Sequence, residues 1–222
     1  MITVHHLNNS RSQRVLWLLE ELGIEYQVKR YERDAKTMLA PPELKAVHPL
    51  GKSPVITDGD ITVAESGAIM EYLIERYGVG LLRPAAGTPE RLRYSYWMHY
   101  AEGSIMPMLV MKLVFSVIPS RAPLLVRPVA NGIVGNVMKN FLDPNIKVHL
   151  DYIESELRKS TWFSGDAFSA ADVQMSFPCE AIAARGADAA SYPRLLEFLK
   201  RIHARPTYQR ALEKGGPYEL LR

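Results

Sequence analysis

The sequence has only one cysteine, Cys179, among its 222 residues. A single cysteine excludes an intramolecular disulfide and any CxxC redox or zinc motif. This usage fits a reducing compartment, and we therefore expect a cytoplasmic protein. Cys179 itself is expected to be a small buried apolar residue and not a nucleophile.

A strong excess of one charge is also absent. The chain has 27 Lys and Arg against 24 Asp and Glu, which gives a formal net charge of +3. The basic residues are scattered among acids and form no dense run. This mild excess suits small anionic ligands better than a nucleic-acid surface, so no nucleic-acid partner is expected.

The sequence shows neither the pattern of a signal peptide at its first residues nor a long uninterrupted apolar run. Its first residues do not show a basic segment followed by an apolar one. The most apolar stretch, Ile105 to Ile133, is interrupted by three basic residues and four prolines, and no part of it reaches the length of a membrane helix. We expect this stretch to be buried or to line an apolar pocket, and we expect no membrane partner.

The first 77 residues show an alternating pattern of short strands and helices. Apolar residues spaced for a helix follow a β-rich start, and Asp58-Gly59-Asp60 separates two short strands as in a hairpin. Ser66 is expected to cap the next helix. The predicted order is βαβαββα, over Ile2–Leu7, Ser12–Leu22, Tyr26–Tyr31, Pro42–His48, Pro54–Thr57, Ile61–Ala64 and a helix from Ser66 to Tyr77.

A glycine- and proline-rich segment at residues 78–89 is typical of a linker. Residues 90–222 show helical patterns and no convincing strand pair, so we predict an α+β protein with an all-helical second domain. Ser169 and Asp172 have the spacing of a capping box. The clearest predicted helices are Glu90–Gly103, Lys147–Leu157, Ala170–Arg185 and Arg194–Ala204.

Two short motifs in the first domain suit a peptide ligand. Lys52-Ser53-Pro54 stands before a strand, where a cis Ser53–Pro54 bond would expose the Ser53 backbone to an extended ligand. A proline that simply begins an edge strand explains the same segment. Glu65-Ser66 opens a helix whose N-terminus would seat a carboxylate while Glu65 holds an ammonium group, although an ordinary helix cap is the alternative.

A third motif, the polar segment from Asn8 to Arg14, lies between the first strand and the first helix. Its side chains could contact a ligand sulfur or cap the helix. Ser12 is the better cap candidate, because the apolar periodicity begins three residues later. Ser10 is thus left without an evident structural role.

Together these motifs resemble the glutathione transferase superfamily over nearly the whole chain. The matching segments are Ser10 with Arg14, GKSPV, ESGAIMEYL, the Gly/Pro linker and FSAADV. The first helix, RVLWLLEELG, is similar to that of the serine-type microbial members. The resemblance implies a thioredoxin-like domain at 1–77, a helical domain at 90–222, a homodimer, glutathione as co-substrate and no metal.

The resemblance also implies roles for individual residues. Ser10 would donate a hydrogen bond to the glutathione sulfur as the catalytic residue. Ser53, before a cis Pro54, would pair with the cysteinyl backbone, and Lys52 would lie near the glycine carboxylate. Glu65 and Ser66 would hold the γ-glutamyl end.

The sequence departs from the family pattern near the sulfur, where Asn8 and Asn9 are alternative thiol contacts. Tyr96, Tyr100, Ser104 and Met108 recur every four residues and are candidates for an acceptor pocket that takes a small hydrophobic electrophile. A core or dimer stripe is at least as consistent with their spacing. Three functions remain open: a glutathione transferase, a glutathione-dependent disulfide or peroxide reductase, and a non-catalytic binding module.

Overall fold

The computed structural model describes residues 1–184 and 190–218. Its first half contains a four-stranded sheet and three helices, in the predicted order βαβαββα. These elements are β1 (Ile2–Leu7), α1 (Ser12–Leu22), β2 (Tyr26–Tyr31), α2 (Glu43–Val47), β3 (Val55–Asp58), β4 (Ile61–Ala64) and α3 (Ser66–Tyr77).

The sheet has the strand order β2-β1-β3-β4. β1 runs parallel to β2 and antiparallel to β3, and Val4 lies opposite Val28 on one side and Ile56 on the other. Val4 and Ile56 are fully buried, as expected for the two central strands of a sheet that helices cover. The β3–β4 hairpin turns at Gly59, whose φ of 59° suits a residue without a Cβ.

The second half of the chain is helical in the described residues. Its α-helices are α4 (Pro89–Tyr100), α5 (Met106–Arg121), α6 (Arg127–Val137), α7 (Asp143–Lys159), α8 (Ala170–Ala183), α9 (Pro193–His203) and α10 (Pro206–Gly215). A π-helical turn, Ala101–Ile105, joins α4 to α5 in one continuous helix. A second π-helical turn, Met138–Leu142, joins α6 to α7. The predicted α+β fold is thus confirmed, while Arg185, the last residue of one predicted helix, lies outside the described residues.

The apolar stretch from Ile105 to Ile133 differs from the prediction. Ile105, Met106 and Leu109 are buried, but beyond Leu109 the segment is exposed or half-buried. The continuous helix Pro89–Arg121 is long and apolar enough to cross a membrane by length and composition, and only 22% of its most apolar window is buried. The expectation of a buried or pocket-lining stretch holds as far as Leu113, which lines a cavity together with Val110. It was wrong for the part beyond Leu113, because α5 and α6 extend past the body of the protein as a hairpin.

α1 is the central helix of the molecule. Val15, Leu18 and Leu19 are buried as its periodicity predicts, but Leu16 and Trp17 on its other face are equally buried. This second face is covered by α8 and α10 of the helical half. Gly23 then ends α1 in the left-handed region, with φ of 66°, where glycine carries no Cβ penalty.

The capping box at the start of α8 is present. Asp172 Oδ2 accepts from the Ser169 backbone N–H at 2.8 Å and from Ser169 Oγ at 3.1 Å. Asp172 Oδ1 also accepts from the Phe163 N–H at 2.8 Å, so this carboxylate fixes the preceding loop as well as the helix.

Removing either side chain of the box should lower the free energy of unfolding without altering the cavity. We expect Ser169→Ala to cost about 1 kcal/mol. Asp172→Ala should cost more, about 2–3 kcal/mol, because it leaves several buried donors without an acceptor. Urea unfolding of both variants measures the two losses of stability. Equal losses would show that the hydrogen bond from the Phe163 N–H to Asp172 contributes little.

Candidate functional site

A cavity of about 320 Å³ lies between the first half of the chain and helices α5 and α8. One side of the cavity is polar and is formed by the loop after β1 and the loop before β3. The other side is apolar and is formed by side chains from the two helices. The apolar side comprises Met106, Leu109, Val110 and Leu113 of α5 with Phe177 and Ala181 of α8.

Ser10 lies on the polar side, in the turn that connects β1 to α1, and is 95% buried by the surrounding chain. Its Oγ is 2.7 Å from Ser12 Oγ and 3.4 Å from Ser53 Oγ. The Ser12 backbone N–H also donates to Ser10 Oγ at 3.3 Å. Ser10 therefore has a structural role at the start of α1, which the sequence interpretation did not give it.

Ser12 does not cap α1 as predicted. The N-cap position is Arg11, and Ser12 is the first helical residue. The Ser12 side chain points to His6, with Oγ 2.8 Å from Nδ1 of the imidazole. Burial, together with the nearby Arg30 charge, lowers the pKa of His6 to about 4, although a hydrogen bond to the Gly215 backbone acts in the opposite direction.

His6 is thus neutral at physiological pH, and the tautomer follows from its two contacts. The Gly215 backbone raises the pKa of the imidazole, as a carbonyl that accepts from a ring N–H does. We assign that proton to Nε2, which leaves Nδ1 as an acceptor for the Ser12 hydroxyl. The Ser12 hydroxyl then donates its proton to His6 Nδ1, and Ser12 Oγ can only accept a hydrogen bond from Ser10.

Ser53 presents its lone pairs in the same way. Its Oγ donates to the His5 backbone carbonyl at 3.0 Å and accepts from the Leu7 N–H at 3.3 Å. The Ser53–Pro54 peptide bond is cis, as predicted. Of the three clustered hydroxyl groups, Ser10 is therefore the one whose proton is not held by a backbone or imidazole acceptor.

The cavity is electropositive. Its lining includes three cationic side chains and no acidic one: Arg11, Arg33 and Lys52. Burial lowers the pKa of Arg33, and electrostatic repulsion from Arg11 lowers it further. A site of this kind favours an anionic ligand.

Glu65 and Ser66 stand at the start of α3 and are not in the lining of this cavity. Glu65 is exposed, occupies the N-cap position with φ of 71°, and makes no side-chain cap bond. Ser66 is the first helical residue and is buried, so the predicted Ser66 cap is replaced by a different contact. Its Oγ accepts from Arg14 Nη2 at 3.0 Å.

Arg14 connects the two halves of the molecule. The side chain is buried, donates to the Gln174 backbone carbonyl of α8 at 2.6 Å, and pairs with Glu102 in the π-helical turn. Arg11 pairs with the other oxygen of Glu102. Burial alone would raise the pKa of Glu102, but Arg14 and Arg11 outweigh it and hold that pKa below its usual value.

The proposed acceptor residues lie away from the cavity. None of the four, Tyr96, Tyr100, Ser104 and Met108, is in its lining. Tyr100 is buried, with its hydroxyl 2.5 Å from His149 Nδ1, and Tyr96 stacks on it at a ring separation of 5.6 Å.

The two asparagines have different positions. Asn8 is used structurally, because its Oδ1 accepts from the Arg33 N–H at 3.0 Å. Asn9 lines the cavity and has a positive φ of 49°. Cys179 is fully buried, and burial raises the pKa of its thiol well above the usual value, so it behaves as the predicted apolar residue.

Comparison with known proteins agrees with this geometry. Residues 1–75 match the family model for the glutathione S-transferase N-terminal domain, and residues 106–206 match the model for the C-terminal domain. Glutathione S-transferase 3 of Schizosaccharomyces pombe is 35% identical over 96% of this chain and 88% of its own length. The chain belongs to the glutathione S-transferase family.

Two further similarities cover this transferase equally well. Glutathione S-transferase 1 of Saccharomyces cerevisiae is 32% identical over 97% of the chain and 95% of its own length. The crystal structure of a glutathione S-transferase from Actinobacillus pleuropneumoniae superimposes with a TM-score of 0.78 at 34% identity, covering 100% of this chain and 96% of the other.

Sequence reasoning missed the roles of three residues in the site of the transferase. These are His6, Ser12 and Glu102. His6 and Ser12 stand close to Ser10 in the chain, and only the tight turn after β1 brings them into one chain of contacts. Glu102 is 88 residues from Arg14. An acid inside a largely apolar helix was the one available signal for it.

We expect Arg14→Gln to lower the free energy of unfolding by about 2–3 kcal/mol, because it leaves Glu102 without its most buried partner. The double variant Arg14→Gln/Glu102→Gln should recover part of this loss. Arg11→Gln is the matched control, since its half-exposed ion pair should contribute less than about 1 kcal/mol. If urea unfolding shows that the double variant loses the sum of the two single losses in stability, Arg14 and Glu102 are not coupled.

His6 should make the stability depend on pH. Its pKa of about 4 in the folded protein lies below that of an unfolded histidine, so the unfolded chain binds the extra proton first. Stability should therefore fall as the pH drops from about 6.5 to about 4, by up to about 3 kcal/mol. His6→Asn should flatten this profile and His99→Asn, at an exposed position, should not. Identical profiles for both variants would show that His6 does not carry the effect.

Proposed function

We propose that this transferase ionises the thiol of glutathione beside Ser10 and joins the sulfur to a small hydrophobic electrophile held against the apolar side of the cavity. The observation that carries the proposal is the set of contacts around Ser10, from which we assign the hydroxyl protons. Ser12 and Ser53 direct theirs to His6 and to the His5 carbonyl. The Ser10 proton is then available to a ligand sulfur.

Ser10 acts in this proposal as a hydrogen-bond donor and not as a base. The thiolate is a charged acceptor, and such an acceptor attracts the Ser10 hydroxyl more strongly than the neutral oxygens of Ser12 and Ser53. A free thiol of pKa near 8.5 is roughly 3% ionised at pH 7, and lowering that pKa to about 6.5 raises the fraction to roughly three quarters. The nearby guanidinium groups of Arg11 and Arg33 support the same shift.

The rest of glutathione would follow the polar side of the site. Ser53, before the cis bond to Pro54, would pair with the cysteinyl backbone, and Lys52 would lie near the glycine carboxylate. The γ-glutamyl end would reach the start of α3, where free backbone N–H groups attract a carboxylate. Ser66 is held there by Arg14, and the exposed Glu65 would hold the ammonium group.

The electrophile would lie against α5 and α8. The apolar side of the cavity replaces the acceptor pocket that the sequence suggested, and Leu109 and Phe177 define its deeper part. In the reaction, the thiolate sulfur forms a bond to the electrophilic carbon while the leaving group departs with its bonding electrons. A cavity of about 320 Å³ limits the electrophile to a small molecule, which is consistent with a role in detoxification.

We further propose a cytoplasmic homodimer with no nucleic-acid partner and no resident metal. The family resemblance supports the dimer, and the exposed Leu92 and Tyr96 on α4 give a second copy an apolar face to cover. The reductase and the non-catalytic module are not favoured, since the relatives described above are named transferases.

Ser10→Ala should raise the pKa of the bound glutathione thiol and reduce turnover at pH 7 by about tenfold, the effect of losing one charge-assisted hydrogen bond. Glutathione affinity should change little, because most binding contacts lie elsewhere. The loss should shrink as the pH rises, since alkali ionises the thiol without help. Ultraviolet titration of the bound thiolate, alongside turnover with an aryl halide, measures both effects.

Asn9→Gly is the matched rival variant, because glycine tolerates the positive φ of this position while the amide is removed. If Asn9→Gly raises the thiol pKa and Ser10→Ala does not, the assignment of Ser10 is wrong. A panel with a hydroperoxide and a mixed disulfide accompanies the aryl halide. Turnover of the disulfide alone would replace the transferase proposal by the reductase.

A further inference from the structure

The hairpin formed by α5 and α6 extends beyond the body of the protein. From Val110 to Ile133 no residue is buried, although the segment is rich in apolar side chains. At its end lies a group that we call the apolar tip, and its members share high exposure. The apolar tip comprises Ile118 (39% exposed), Leu124 (76%), Leu125 (94%), Val126 (50%) and Val129 (63%).

The charge pattern of the hairpin is one-sided. Between Glu102 and Asp143 the sequence contains four basic residues and no acidic one. Lys112 is paired with Asp143 at 2.7 Å. Arg121 and Arg127 lie between members of the apolar tip in the sequence, and neither forms an ion pair with any residue that the structure describes. The tip is thus an apolar projection with two uncompensated positive charges beside it.

This hairpin cannot cross a bilayer as a helix. The first part of the continuous helix is fixed in the core by Tyr94, Trp97 and Ile105, and it packs against α8. Only the residues after Leu109 are free, about 12 residues or about 18 Å at 1.5 Å each. A spanning helix needs about 20 residues. The hairpin is long enough only to insert its tip into the interfacial region.

We propose that the apolar tip docks on an anionic lipid bilayer surface, with Leu124 and Leu125 below the headgroups and Arg121 and Arg127 among the lipid phosphates and carboxylates. Apolar side chains beside basic ones are the features that bind such an interface. The proposal concerns a surface outside the glutathione cavity and does not depend on the proposed function. It departs from the sequence-based expectation of no membrane partner.

Charge distinguishes this occupant from a second copy of the chain. Two copies that met tip to tip would bring four arginines together with no acid on either hairpin to compensate them. An anionic lipid surface neutralises the same arginines and accepts the leucines at once. The charge complementarity therefore favours lipid.

The test is co-flotation of the full chain with vesicles of phosphatidylcholine alone or with 30% phosphatidylserine, at low and high salt. We expect binding to the anionic vesicles that weakens as salt rises. Leu124→Ser/Leu125→Ser should reduce the bound fraction by at least about tenfold. Val79→Ser/Val148→Ser is the matched control at two exposed apolar positions outside the tip, and it should bind like the unaltered chain.

Arg121→Gln/Arg127→Gln tests the charges separately. It should weaken binding to anionic vesicles and remove most of the salt dependence, while the intact leucines remain. Turnover of a soluble substrate and light-scattering mass in the absence of lipid should be unchanged in all variants. These two readouts show that each variant is folded and that its assembly is unaltered.

Three results would overturn the proposal. The unaltered chain could fail to float with either vesicle, or the two leucine substitutions could leave binding unchanged. Alternatively, the leucine variant could fall from dimer to monomer without any lipid binding by the unaltered chain, and the tip would then be a contact between copies.

Discussion

The rest of the site depends on the contacts that the buried guanidinium group of Arg14 makes. It links α1 to Ser66 at the start of α3, to the backbone of α8 and to Glu102 in the π-helical turn. A buried charge is tolerated only when it is paired and hydrogen-bonded, so these partners must be in place together. Ser66 at the start of α3 thus belongs to the N-terminal half in sequence, but its position depends on contacts from both halves.

A second, neutral network governs Ser10. It begins at the Gly215 carbonyl near the end of the helical half, passes through His6 and Ser12, and ends at the hydroxyl beside the cavity. Each group in it has a defined donor or acceptor role because the preceding one has already been assigned. The charged network therefore fixes the start of α3, and the neutral one orients the hydroxyl groups beside the cavity.

Sequence reasoning recovered the features whose signals are local. Strand and helix periodicity gave the βαβαββα order, and the Ser169–Asp172 spacing indicated the capping box. The cis bond before Pro54 followed from the family resemblance, since the dipeptide alone also suits a proline that begins an edge strand. Sequence reasoning failed where contacts with distant segments determine what a side chain binds. Ser12 and Ser66 resemble helix caps, but His6 and Arg14 compete for their hydroxyl groups. The apolar stretch after Ile105 resembles a core helix, because a sequence does not show whether other elements will cover it.

The π-helical turn at Ala101–Ile105 has a consequence for how the transferase can diversify. It separates a helix segment that holds the aromatic cluster around Trp97 from a segment that forms one side of the cavity. Leu109 and Leu113, after the turn, line the cavity, whereas Tyr96 and Tyr100, before it, do not. Substitutions at the cavity can accumulate and alter which electrophile fits, while the packing that keeps the helical half folded stays under separate selection.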